Sequence, residues 1–237
     1  MTTILYKAQD RGHANHGWLD SYHSFSFANY YNPDKVHFGA LRVLNDDTVK
    51  GGYGFGKHPH DNMEIVSIPL SGDLQHQDST GRNEIIRQGD VQIMSAGSGI
   101  AHSEMNANKN KDVKFLQVWV FPKQKDITPR YEQKTFAPEN RHNTIQTVVA
   151  PDDKNAVFIN QDAWFSLANL DKGFSTGYTF KKQGSGLYVF VLEGQVTVAG
   201  EPLGKRDALG ISNAEGVELT ATENAEVLLI EVPMNVN

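Results

Sequence analysis

The sequence predicts an all-β chain folded as two tandem antiparallel sandwiches or barrels, and three observations carry that expectation. Strand-like runs recur at close spacing, turn signals separate them, and the pattern is repeated in the second half of the chain. The first series of runs covers residues 40–44, 64–68, 84–87, 91–94 and 115–120. Ser71-Gly72-Asp73, Ser79-Thr80-Gly81 and Gln88-Gly89-Asp90 punctuate it as turns. No long apolar period of 3.6 residues is present, so helices are not expected to build the architecture.

A second series covers residues 156–159, 188–192, 195–198 and 227–230. Leu70-Ser71-Gly72-Asp73-Leu74 aligns with Leu192-Glu193-Gly194-Gln195-Val196 at an offset of 122. Further on, Gly89-Asp90-Val91 aligns with Arg206-Asp207-Ala208 at an offset of 117, which requires a shorter hairpin in the second copy. Residues 122–143, polar and holding Pro122, Pro129 and Pro138, are the expected connector. The expected division is therefore 1–130 and 131–237.

Composition narrows the chemistry. The chain has 237 residues and no cysteine, so disulfides, thiolate metal sites and cysteine nucleophiles are excluded, and any metal must be held by nitrogen and oxygen. A formal net charge of −6 without a long basic run argues against direct nucleic-acid binding. No stretch approaches the ~18 apolar residues of a membrane span, and Met1 to Lys7 lacks the build of a secretory signal. A cytoplasmic location is expected. The glycine-rich run 52–56 leads into His-Pro-His rather than a helix, so it reads as a turn and not a phosphate loop.

The residues that carry chemistry are His58, His60, His102 and a carboxylate. Strand side chains two apart share a face, so His58 and His60 aim together, and so do His102 and Glu104. Pro59 donates no ladder hydrogen bond and suits an edge strand. Two such pairs on neighbouring strands can surround one divalent transition ion, with imidazole suiting Fe, Ni, Cu, Zn, Mn or Co. Four protein ligands leave two octahedral positions open for chemistry. Parity leaves the carboxylate undecided, because residues 58, 60, 62 and 64 of a regular strand face one way and Glu64 competes with Glu104. The offset of 122 sets Phe180 and Lys182 against His58 and His60, so an imidazole-held ion is expected only in the first copy.

These residues also carry a family resemblance. Residues 52–72 resemble the first cupin motif and residues 89–106 the second, which makes the expected fold two tandem jelly-roll-like cupin barrels, a bicupin. More closely, the chain resembles a pirin-family bicupin of the short bacterial type. Arg11 to Trp18, Ser24 to Tyr31, Gly56-Lys57-His58-Pro59-His60, Ser95 to Glu104 and Leu116-Gln117-Val118-Trp119 carry that likeness. Ser95 in place of the usual cupin proline, and two extra residues before His102, agree with it. The resemblance implies His58, His60, His102 and Glu104 as metal ligands, Fe(II) as the ion, and Glu64 as a supporting or structural residue.

Phe55 and Trp119 are candidates to line a pocket for a flat ligand, with Phe25 and Phe27 beside them; core packing is the ordinary role of all four. His13, His16, His23 and His37 read as packing or surface residues, His76 ordinarily as a strand-surface residue with hydrogen bonding near the site as its alternative, and Asp46-Asp47 and Asp152-Asp153 as solvated turns. The activity the resemblance implies is a metal-dependent dioxygenase of quercetinase type. In it a flavonol chelates the ion through its 3-hydroxyl and 4-carbonyl, Glu104 takes the hydroxyl proton, and O2 opens the ring to a depside and carbon monoxide. A second class is a metal-dependent regulatory protein that binds a transcription factor or enzyme without turnover. A third is another cupin reaction, since one fold hosts many chemistries.

Overall fold

Strand Ser185–Glu193 is buried along nearly its whole length, and its alternating side chains divide between two cores. Tyr188, Phe190 and Leu192 enter one cluster, while Leu187, Val189 and Val191 enter another. A strand apolar on both faces must be covered on both, and that requirement sets the architecture of the computed structural model, which describes residues 1–236.

Each half is a jelly-roll-like barrel made of a seven-stranded and a four-stranded sheet. In the first barrel the larger sheet includes Leu41–Val49, Glu64–Ser71, Asp90–Ser95 and Val113–Val120, and the smaller runs Gly54–His60, Ile100–Asn106, Asp73–Asp78, Asn83–Arg87. In the second barrel the larger sheet includes Trp164–Leu170, Ser185–Glu193, Ala208–Ser212 and Ala225–Pro233. Its smaller sheet is built from Ser175–Thr179, Gly216–Ala221, Val196–Val198 and Glu201–Leu203. The pairs are antiparallel except Gln146–Ala150 with Val157–Phe158. The shared core lies between the two larger sheets, where Val66, Ile68 and Val118 of the first barrel join Phe165, Tyr188 and Ile230 of the second.

The repeat is visible in the register. Ile65 pairs with Met94 in the first barrel and Leu187 with Ile211 in the second, which reproduces the offsets of 122 and 117. Gly72 and Gly194 occupy the same turn with φ of +76° and +75°. A Cβ there would strike the carbonyl of Asp112 in one copy and of Asn224 in the other, so only glycine fits.

Two edge strands are exchanged. Thr2–Tyr6 pairs with Ala208–Ser212 on the second barrel's sheet, and Arg130–Thr135, from the expected connector, pairs with Asp90–Ser95 on the first. The division expected after residue 130 thus falls inside a strand of the first barrel. The physical reason is edge protection: each exchanged strand covers an otherwise unpaired row of backbone donors and acceptors. Among the described residues no helix is long and apolar enough to cross a membrane.

Candidate metal centre

The Gly54–His60 strand is the edge of the smaller sheet of the first barrel, as Pro59 requires. It pairs with Ile100–Asn106 so that His58 lies opposite His102 and His60 opposite Ile100, with a register shift between His102 and Glu104. The ligand-type nitrogens of His58, His60 and His102 all lie within 4.8 Å of one another. Their ring centroids are 4.5 to 4.9 Å apart.

The donor set fits a cation. His58 Nδ1 lies 2.8 Å from the Gly56 carbonyl, to which it donates, so Nε2 keeps its lone pair. That Nε2 lies 3.1 Å from His102 Nε2, a separation spanned either by an N–H donated from His102 or by a cation held between the two nitrogens. Burial, reinforced by the neighbouring histidines, lowers the pKa of His60 to about 4 and that of His102 to about 3. Both imidazoles are therefore neutral near pH 7 and free to coordinate.

Glu104 is buried and projects into the barrel from the same strand as His102. Gln117 Nε2 donates to it at 2.6 Å and Ser67 Oγ at 3.1 Å. It forms a second group of ligand type with His76 and His102, again within 4.8 Å. Glu64 is also buried but is engaged elsewhere: Ser95 Oγ donates to it at 2.8 Å and the Asn160 backbone N–H of the second barrel at 3.0 Å. Burial raises its pKa despite those bonds. Glu64 is thus a hydrogen-bonded tie between the barrels.

A cavity of about 400 Å3 opens beside the histidines, its wall including Phe55, Trp119, Trp18, Phe27, His58 and Glu104. Trp119 packs edge-on against His60 at 4.9 Å and against Phe27 at 5.5 Å. Phe55 meets Trp18 edge-on at 5.4 Å. Phe25 is not in this wall; it is core between the barrels, against Tyr6 and Tyr188.

Several residues differ from their expected surface or packing places. His76 is 1% exposed and faces inward with Leu74, two residues before it on the same face. That parity is the signal that reveals it. His16 and His23 line the cavity, whereas His13 is an exposed partner of Asp20 and His37 bonds the Gly39 carbonyl. Asp46 and Asp47 lie in a strand, not a turn: Asp46 accepts from Arg206 of the second barrel at 2.7 Å, and Asp47 is a cavity residue bonded to Ser21.

In the second barrel the positions that match these polar residues are apolar, although Glu231 is buried there as an acceptor for Tyr178 and for the Lys181 and Lys182 backbone N–H groups. By the register of paired strands, Ser67 and Gln117 correspond to Val189 and Leu229, and His76 and Glu104 to Val198 and Leu219. All four replacements lie in one apolar cluster. Phe180, at the position of His58, packs against that cluster, and Lys182, at the position of His60, pairs with Asp162. Among the described residues, both groups of metal-binding type lie in the first barrel.

Comparison with known proteins identifies both halves. Residues 6–120 match the family described as Pirin, and residues 147–232 the quercetinase C-terminal cupin domain. The chain is 42% identical over 231 residues to the quercetin 2,3-dioxygenase of Escherichia coli (strain K12), covering 97% of this chain and 98% of that protein. It is 40% identical over 222 residues to a pirin-like protein of Caulobacter vibrioides, covering 93% and 95%. The crystal structure of bacterial pirin YhhW from Escherichia coli in complex with nickel(II) superposes with a TM-score of 0.93 at 41% identity, over 98% and 99% of the two chains. With its two halves matched in order and its full length aligned to such relatives, this chain belongs to the pirin family.

Proposed function

We propose that the protein is a metal-dependent dioxygenase of quercetinase type, which uses O2 to open a flavonol. His58, His60, His102 and Glu104 would hold one divalent transition ion, iron(II), in the first barrel. The observation that carries this reading is the convergence of three imidazoles beside a cavity walled in part by Trp18, Phe27, Phe55 and Trp119, into which Glu104 also faces. Likeness along the whole chain to a protein named quercetin 2,3-dioxygenase supports it.

When bound, the ion supplies Lewis acidity at the hydroxyl and ketone oxygens of the flavonol. The residues do the rest. Glu104 accepts the 3-hydroxyl proton, and the hydrogen bonds from Gln117 and Ser67 hold its carboxylate in place as it does so. Trp119, Phe55 and Phe27 stack and enclose the flat ring system and keep water from the reacting carbons. The cavity volume of about 400 Å3 lies within the usual range for a small-molecule site. Two ring carbon–carbon bonds break, both oxygen atoms enter the depside, and one carbon leaves as carbon monoxide.

Anaerobic loading with iron(II), followed by quercetin and O2, tests the reading. One O2 consumed and one carbon monoxide released per quercetin is the expected result, with Glu104→Gln slowing turnover by about 10²- to 10⁴-fold. A fully loaded protein that consumes no O2 with quercetin would overturn it.

A further inference from the structure

The two groups of ligand-type side chains share His102, and the second contains His76, which the reaction above does not use. His76 Nδ1 lies 3.5 Å from His102 Nδ1, and His76 Nε2 lies 3.2 Å from Asp78 Oδ2. The side chain of Asp78 is fully enclosed. Its other oxygen accepts from the Thr80 backbone N–H at 2.8 Å, Thr80 Oγ1 at 2.6 Å and the Arg82 N–H at 3.3 Å.

Three donors already point at Asp78 Oδ1, so Oδ2 accepts from His76 Nε2–H, and an imidazole with that single proton presents Nδ1 as an acceptor. A proton on His102 Nδ1 would meet that acceptor and leave the Nε2 lone pair aimed at His58. Tyr131, on the exchanged Arg130–Thr135 strand, packs on the His76 ring at 4.9 Å and fixes its plane.

We propose that His76, held by Asp78, is a positioning residue that sets the tautomer and orientation of His102 toward the metal ion. This rests on the metal-site reading above. The sister barrel supplies an independent argument. At the register of His76 it holds Val198, fully buried in apolar core, so a barrel of this shape closes without an imidazole there. A buried histidine–carboxylate pair costs desolvation that the fold does not require. Outer partners of this kind, when removed, weaken metal binding about 10- to 100-fold.

The test uses nickel(II) as an air-stable probe, its affinity measured by chelator competition, together with 15N chemical shifts of His102 in the metal-free protein. His76→Val is expected to weaken nickel(II) about 10- to 100-fold and to turn a single Nδ1–H tautomer of His102 into a mixture. His76→Asn, whose Oδ1 can accept from His102, recovers most of the affinity. Asp78→Asn keeps His76 but must present its amide N–H to it, because the carbonyl is claimed by Thr80 and Arg82; it reverses both tautomers and weakens binding likewise. That variant decides the matter if circular dichroism shows His76→Val unfolded. Unchanged affinity and tautomer in His76→Val and Asp78→Asn would overturn the proposal. So would loss of nickel(II) in His76→Val as complete as in His58→Ala, which would make His76 a ligand. Should His58→Ala keep wild-type affinity, the metal-site reading fails while the His102 tautomer still reports on His76.

Discussion

Asp47 shares the cavity wall with Glu104 and is buried almost completely, with Ser21 Oγ donating to it and His23 Nε2 2.9 Å from that hydroxyl. Burial, with the nearby charges of Glu104 and Asp46, raises its pKa to about 7 against the Ser21 hydrogen bond. In the unfolded chain it titrates near the ordinary aspartate value of about 4. The folded state therefore keeps a proton that the unfolded state has released, and stability falls as pH rises from about 4 to about 7, then levels. Asp47→Asn removes this dependence. In metal-free protein it is expected to raise stability at pH 8 by on the order of 2 kcal/mol and to change nothing at pH 4, as read by urea unfolding at both pH values. A gain of equal size at pH 4 would assign the effect to packing. Asp47 was not readable as a cavity residue from Asp46-Asp47 alone, because two adjacent acids look like a turn unless the flanking strand is known to run through them. His58 and His60 were readable because a period of two needs no knowledge of the partner strand. Whether Glu64 or Glu104 faces them depends on the bend between residues 60 and 64 and on the register shift at Ser103, which spacing does not encode.

At the scale of elements, strands with one clean alternation or a continuous apolar run were legible, and so were the glycine turns between them. The exchanged strands were not. Thr2–Tyr6 is exposed along its first four residues and carries no amphipathic signal; its place comes from Tyr6, whose ring lies 5.2 Å from Tyr188 and 5.9 Å from Phe25 in the shared core. Tyr6→Ala is expected to cost about 3 kcal/mol in equilibrium unfolding, since it empties a large aromatic from between the sheets. A cost below about 0.5 kcal/mol would show that the N-terminal strand adds no stability. Arg130–Thr135 was hidden by the flanking Pro129 and Pro138 and by its own polar side chains, which suit an edge strand as well as a linker. It nonetheless brings Tyr131 onto His76, so a segment read as connector helps to build the candidate centre.

Across the whole molecule the two barrels share a backbone plan and differ in what fills them. The first places Ser67, His76, His102, Glu104 and Gln117 inside, all buried; the second fills the matching interior with valine and leucine. Buried polar groups are tolerated only when hydrogen-bonded or ligated, and Glu231 of the second barrel is held by Tyr178 and two backbone N–H groups, whereas the grouped imidazoles and Glu104 lie in the first. The second offers an apolar face that closes the shared core, and Glu64 and Asp46 bond across to it through Asn160 and Arg206. This asymmetry leads to the central claim, one ion per chain and in the first barrel. Metal content by mass spectrometry, on protein from its own host and after reconstitution, tests it in wild type and His58→Ala. One equivalent in the wild type and a residue near zero in the variant is the predicted result; a full equivalent retained by His58→Ala would contradict the account.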